Sequence, residues 1–173
     1  MAVGPSTFPA DMPAIAGFQI GVAEAGIKKP GRRDLVIMAL EAGSRLAGTF
    51  TRNAFCAAPV HVAREHLTAG VEGPSYLVIN TGNANAGTGE QGMTDARATC
   101  QALAEIAGCD AKAVLPFSTG VIGEPLPMDR LTAALPTAFA NLGEGDWSAA
   151  AHGIMTTDTR PKGSWRTLSL SNG

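Results

Sequence analysis

Aromatic residues make up only 5% of this 173-residue chain. With few large rings to supply buried area, the core has to be aliphatic and alanine-rich, and therefore tightly packed. Charged residues are sparse as well, at 16%, and nearly balanced: the formal net charge is −2 and the pI about 5.9. No basic field is available for a nucleic-acid backbone or an anionic membrane surface, so neither is expected as a partner. The three cysteines, Cys56, Cys100 and Cys109, are odd in number and have no CxxC or metal-ligand spacing. They read as inert thiols of a reducing, cytoplasmic setting. Residues 1–14 lack the basic start and apolar run of a secretory signal, and no apolar stretch is long enough to span a membrane. A phosphate loop of the form GxxxxGK[ST] is missing too. There is no internal repeat and no linker-like segment, and 45% of the residues are hydrophobic. Residues 1–173 are thus expected to form a single domain with a sizeable core.

Turn chemistry is plentiful, with 21 glycines and 11 prolines. The stretch 77–89, Leu-Val-Ile-Asn-Thr-Gly-Asn-Ala-Asn-Ala-Gly-Thr-Gly, runs from a buried apolar strand into a loop of asparagines and glycines. Such a loop at a strand end could hold a polar ligand through backbone N–H groups. It could equally be a tight surface turn whose residues serve turn geometry. Before it, residues 18–23 alternate, placing Phe18, Ile20 and Val22 on one strand face, and 35–40 reads as a buried strand. Residues 46–54 are rich in strand-forming side chains, and Gly43-Ser44 suggests a hairpin joining them to the preceding strand. Residues 59–67 start extended and turn helical.

Residues 94–108 give the clearest helix: Thr94 fits its N-cap, Gly108 its end, and Ala96, Cys100 and Leu103 recur on one face. A short strand at 114–117 follows. A helix from Met128 comes next, with Pro136 kinking or restarting it. Asp146 should cap a third helix that turns Trp147, Ala150, Ala151 and Ile154 inward. These alternating elements suit a layered α/β domain.

Three stretches offer chemistry. Ser118-Thr119-Gly120 follows an apolar strand, where a hydroxyl and a backbone N–H aimed at one point would stabilise an oxyanion. The structural alternative is a turn capping the next helix. Residues 154–162, Ile-Met-Thr-Thr-Asp-Thr-Arg-Pro-Lys, could bind an amide and a carboxylate, with Arg160 or Lys162 as counter-charge. They could also be a helix exit satisfied by side chain–backbone hydrogen bonds. The turn at 26–34 carries Lys28, Lys29, Arg32 and Arg33, either as a solvated face or as a patch that grips an anionic substrate. His61, His66 and His152 have no Ser/Asp or metal pattern around them, and no nucleophile stands beside a base.

At the carboxyl end, residues 165–170 alternate and are followed by Asn172-Gly173, a strong hairpin signal. A turn there promises a returning strand, so the remainder of the fold is expected on further residues or another polypeptide.

Residues 80–89, 115–127 (with Pro-Phe-Ser-Thr-Gly-Val-Ile-Gly-Glu-Pro-Leu-Pro) and 153–162 together closely resemble the ornithine acetyltransferases, the bifunctional glutamate N-acetyltransferases of arginine biosynthesis. Residues 26–31, 51–59 and 141–147 fit the same pattern. The resemblance implies a precursor that cuts itself before a threonine into α and β chains, with that threonine as nucleophile. This sequence is similar to the α chain. The implied fold is two stacked β-sheets flanked by helices, completed by the β chain in an α2β2 assembly. Thr119 and Gly120 match the oxyanion-stabilising pair, and Thr156 matches a substrate-binding threonine. The implied reaction is ping-pong transfer of acetyl from N-acetylornithine to glutamate, with no metal or prosthetic group. Some members also take acetyl-CoA as donor. The alternative is a self-processing amidase or aminopeptidase of similar architecture. A pocket charged to hold the carboxylates of glutamate would discriminate between the two. A non-catalytic ligand-binding domain built on the Gly-rich loop is a third reading.

Overall fold

The computed structural model describes residues 8–70, 73 and 75–169. Four strands form one mixed sheet in the order β1 (Phe18–Ala23), β2 (Leu35–Leu40), β3 (Ser75–Asn83) and β4 (Val114–Val121). The pairs β1–β2 and β2–β3 are antiparallel, with Ile20 opposite Met38 and Val36 opposite Ile79. The pair β3–β4 is parallel, with Ile79 opposite Phe117 and Thr81 opposite Thr119. A parallel pair needs a long crossover. Helix α2 (Gly89–Ala107) supplies it, leaving β3 through the Asn/Gly loop and re-entering β4 through a 3-10 turn at Ala111–Ala113. Helix α1 (Ala58–Ala69) precedes β3, while α3 (Met128–Ala140) and α4 (Trp147–Gly153) follow β4.

The register sorts side chains onto two faces. Leu35, Ile37, Tyr76, Val78 and Val114 share the larger core with Val62 of α1, Cys100 and Leu103 of α2, and Leu131 and Leu135 of α3. The opposite face carries Ile20, Val36, Phe18, Val22, Met38 and Ile79, and α4 covers part of it through Ala150 and Trp147. The Trp147 ring stacks on Phe18 at 5.1 Å, and its indole N–H donates to the Pro13 carbonyl at 2.9 Å. Beyond α4 this face stays open: Phe117 is 40% exposed, and Met38, Leu77 and Ile79 are half-buried. The described residues hold one of the two sheets that the resemblance implies.

The structure departs from the sequence reading in several places. Residues 46–54 form no strand. Both edges of β2 are already paired, to β1 and to β3, so a hairpin partner after Gly43 has no edge to join. Residues 165–169 are irregular rather than a strand, and Gly163 lies against the Phe8 ring of the amino-terminal arm. Leu170 and the Asn172-Gly173 turn lie outside the described residues. Helix α2 starts at Gly89, five positions before Thr94, whose hydroxyl instead donates back to the Glu90 carbonyl. Helix α1 begins at Ala58 with Pro59 in its first turn, where the missing N–H costs nothing, so its start is not extended. Helix α3 runs through Pro136 without restarting. Asp146 does cap α4, accepting the Ala149 N–H at 3.0 Å, but Ile154 is 43% exposed rather than inward.

Burial against α3 and the sheet pushes the Cys100 thiol up to about 12. At pH 8 its reactive thiolate is then a fraction of roughly 10⁻⁴, and the side chain is inaccessible besides. In the native protein Cys100 should resist a thiol-labelling reagent at pH 8 and react only on denaturation. Mass-spectrometric detection of labelled Cys100 in the folded protein would contradict this placement.

Candidate active site

The asparagine side chains of the Asn/Gly loop turn inward, whereas Thr81 and Gly82 line a cavity and Gly87 and Gly89 are exposed. Asn80, Asn83 and Asn85 are all buried, and every side-chain amide atom has a partner within the chain. The Asn80 amide donates to the Asn83 carbonyl at 2.9 Å, and its oxygen accepts from Ser118 Oγ at 2.6 Å. Asn83 donates to the carbonyls of Glu124 and Pro125, and its oxygen accepts the Asn85 N–H at 2.7 Å. Asn85 donates to the Gly92 carbonyl and accepts from Thr88 Oγ1, both at 2.9 Å. With its amides consumed internally, the loop is a bracket joining the ends of β3 and β4 to the start of α2.

The bracket fixes what lies on the other face. Ser118 turns toward Asn80, so Thr119 points oppositely, beside Thr81. Gly120 has φ of +140°, and a Cβ there would sit 2.3 Å from the Gly82 carbonyl carbon and 2.6 Å from the Asn83 nitrogen. Only glycine fits this approach of two strand ends at the local irregularity of the β3–β4 ladder. Residues 118–120 belong to β4 and end well before α3, so they do not cap a helix.

Thr119 and Gly120 open into a cavity of about 470 Å³, whose wall also includes Thr156 and Thr157. The segment carrying Thr156 is held against β3 because Thr81 Oγ1 donates to the Gly153 carbonyl at 3.0 Å. A second tie comes from Arg32, whose guanidinium donates to the Met155 carbonyl. Thr119 and Gly120 thus face one space with Thr156, far from them in sequence. The Thr119 hydroxyl makes no side-chain hydrogen bond among the described residues and remains available to an acceptor in the cavity.

A third wall comes from the turn between β1 and β2. Asp34 is 2% exposed, and its carboxylate accepts the N–H groups of Ala25 and Ile27 at 2.7 and 2.6 Å and of Gly26 at 3.3 Å. The fan of N–H groups folds the turn over the strand ends and brings Lys28, Lys29 and Arg32 to the cavity. Arg33 points elsewhere, lining a different depression with Asn141 and Asp146.

Residues 19–173 match the family model described as the ArgJ family. The chain belongs to the ArgJ family. It is 56% identical over 166 residues to the arginine biosynthesis bifunctional protein ArgJ of Pseudomonas syringae, covering 96% of this chain and 40% of that protein. The corresponding ArgJ of Pseudomonas fluorescens is 55% identical over the same shares. The chain therefore spans about 40% of the length of these curated relatives. Among solved structures it superposes on an ornithine acetyltransferase complexed with ornithine from Mycobacterium tuberculosis with a TM-score of 0.80. Identity there is 39%, over 87% of this chain and 80% of that one. The Bacillus halodurans arginine biosynthesis bifunctional protein ArgJ gives a TM-score of 0.68 at 34% identity, over 84% and 75% of the two chains.

Of the residues singled out in the sequence, Thr119, Gly120, Thr156 and three of the four basic turn residues share the cavity of this ArgJ-family chain. Arg160 and Lys162 do not line it. The Lys162 ammonium hydrogen-bonds Asp158 on the surface instead, holding that carboxyl below the usual carboxylate range. Gly87-Thr88-Gly89 line a separate open depression with Cys56 and His61. His66 is buried and satisfied by the Val114 carbonyl at 2.7 Å. Among the described residues no group of three or more His, Cys, Asp or Glu is placed to hold a metal ion. The sequence reading missed Asp34 and Thr81. A carboxylate closing a basic, glycine-containing turn was the available signal for Asp34, since turn N–H groups need an acceptor when buried.

Asp34→Asn would replace a charged acceptor of three N–H groups by an amide with one acceptor oxygen, and would turn an NH₂ toward at least one of them. The expected loss is about 1–3 kcal/mol of stability, read as a lower urea midpoint with unchanged slope. An unaltered midpoint would mean that the turn does not depend on this carboxylate.

Proposed function

We propose that this chain is the α subunit of an ornithine acetyltransferase that moves acetyl from N-acetylornithine to glutamate. The observation that carries this reading is the meeting of Thr119, Gly120 and Thr156 at one cavity in an ArgJ-family chain. The Mycobacterium tuberculosis ornithine acetyltransferase structure is a complex with ornithine, which supports the substrate class.

The nucleophile in this reading is the amino-terminal threonine of a β chain cut from the same precursor. Its hydroxyl oxygen attacks the acetyl carbonyl carbon of N-acetylornithine, and its own α-amino group takes the proton. Negative charge gathers on the carbonyl oxygen, where the Thr119 hydroxyl and the Gly120 N–H would donate to it. The C–N bond then breaks, the amine takes the proton, and ornithine leaves an acetyl ester on the β threonine. The glutamate amine attacks that ester through the same oxyanion site. The C–O bond breaks, and the threonine hydroxyl is restored as N-acetylglutamate departs. Thr156 helps to hold the amino-acid part of the substrate. The reaction requires no metal or prosthetic group, and acetyl-CoA is an alternative donor for the acylation step.

The assembly in this reading is α2β2, in the cytoplasm. The open apolar face at Met38, Leu77, Ile79 and Phe117 suits a second sheet contributed by the β chain. The cations in the cavity wall favour a glutamate acceptor over the water of an amidase or aminopeptidase, because water offers them no carboxylate.

Two experiments test the proposal. The 173-residue polypeptide alone should turn over neither N-acetylornithine nor glutamate, since it lacks the nucleophile. Measurable transfer by that polypeptide would refute the division of labour. In the assembled enzyme, Thr119→Ala should lower kcat by roughly 10²–10³, with KM for N-acetylornithine nearly unchanged, because the hydroxyl acts on the oxyanion and less on the ground-state carbonyl. Wild-type kcat in that variant would remove Thr119 from the oxyanion site.

A further inference from the structure

The geometry points to Lys28 and Lys29 as the residues that read the side-chain carboxylate of the acceptor, a subsite that makes glutamate the preferred second substrate. The inference rests on the transferase reading and deepens it.

The two substrates that would occupy the cavity in turn are alike at the α-carbon and opposite at the far end. N-Acetylornithine ends in an ammonium, and glutamate ends in a carboxylate. Thr119 and Gly120 address the acyl group that both half-reactions share, so they cannot tell donor from acceptor. Discrimination needs a charge in the cavity wall that answers the far end. Lys28 and Lys29 provide it: both are exposed, both line the cavity, and neither ion-pairs among the described residues.

Neighbouring charges leave those two ammonium groups uncommitted. Asp34 borders the same cavity, but its oxygens are occupied by the Ala25, Gly26 and Ile27 N–H groups, so it braces the turn rather than pairing a lysine. Arg32 is tied to the Met155 carbonyl and acts as a positioning residue between the turn and the Thr156 segment. The Lys28 stem packs on Gly82, where a Cβ would come within 2.9 Å of the Lys28 Cβ. The lysine therefore leaves the turn from a fixed root next to the strand ends, with a flexible chain carrying its charge. Such a cation swings toward a γ-carboxylate and away from a δ-ammonium. It also disfavours return of ornithine to the acetylated enzyme, since the two would repel.

The test uses the self-processed full-length enzyme with Lys28→Met and Lys29→Met together, which keep the stems and remove the charges. KM for glutamate should rise about tenfold or more, with kcat and KM for N-acetylornithine each within about threefold of wild type. Lys28→Arg with Lys29→Arg should restore most of the glutamate affinity, which a purely structural role of the methylene stems would not require. Added salt should raise KM for glutamate in the wild type more than in the methionine variant. If the methionine variant fails to self-process, the wild type alone carries the test: added salt should raise KM for glutamate more than KM for N-acetylornithine. An unchanged KM for glutamate, or equal rises in both KM values, would overturn the assignment while leaving the transferase reading intact. Absence of acetyl transfer between N-acetylornithine and glutamate in the wild type would overturn both.

Discussion

Three buried asparagine amides hold the ends of β3 and β4 together and to the first turn of α2, and the candidate site inherits its geometry from them. A buried primary amide left unpaired costs about 1–3 kcal/mol, so a cluster of three is tolerable only when each atom has a partner. Here Asn80 reaches Ser118, Asn83 reaches the carbonyls of Glu124 and Pro125, and Asn85 reaches Thr88 and Gly92. The network spans elements far apart in sequence and cannot be half-formed without stranding polar groups. Its effect on the candidate site is indirect but strong. By pinning Ser118 to the helix-covered face, it leaves Thr119 no choice but the other face, where Gly120, Thr81 and the Thr156 segment converge.

The two faces of the sheet therefore divide their work. One is closed by α1, α2 and α3 and supplies most of the aliphatic core. The other is only partly covered by α4, and at its β3–β4 end the site begins. Rigidity from the closed face is what the proposed oxyanion site would require, because its donors must already point where charge will develop. A donor on a loosely packed loop would have to reorganise at the moment of reaction, and much of its value would be lost.

How much of this was legible in the sequence depended on whether the deciding interaction was local. Strands β1 and β2 follow from alternation and from an unbroken apolar run, and both occupy the residues expected. The Asp146 cap and the Gly108 end of α2 are local features and held as well. Residues 46–54 had strand-like composition but no free strand edge to pair with, and edge availability is a property of topology rather than composition. The start of α2 failed for a related reason. Gly89-Glu90-Gln91-Gly92 has poor helical propensity, yet Asn85 and Thr88 hold that turn from outside, and a Cβ at Gly92 would strike Thr88 Oγ1. For the site, the Ser-Thr-Gly and Thr-Thr stretches were visible one at a time, and the resemblance named Thr119, Gly120 and Thr156. That the basic turn joins them is set by Asp34 and Thr81, whose partners lie in backbone that the sequence does not mark.

Some parts of the site have to be stiff and others compliant. In the proposed ping-pong transfer the acyl carbon would stay in place while two amino acids of opposite side-chain charge come and go. On the proposed reading, the invariant step, formation of the oxyanion, would fall to a strand end and a glycine that packing permits in one arrangement only. The variable step, acceptance of an ammonium and then a carboxylate, would fall to two exposed lysines on a turn braced by a single buried carboxylate. A rigid cation at the same place would exclude the donor as firmly as it welcomed the acceptor. A long flexible stem on a fixed root resolves the conflict, because it can withdraw into water at little cost and return when a carboxylate is present.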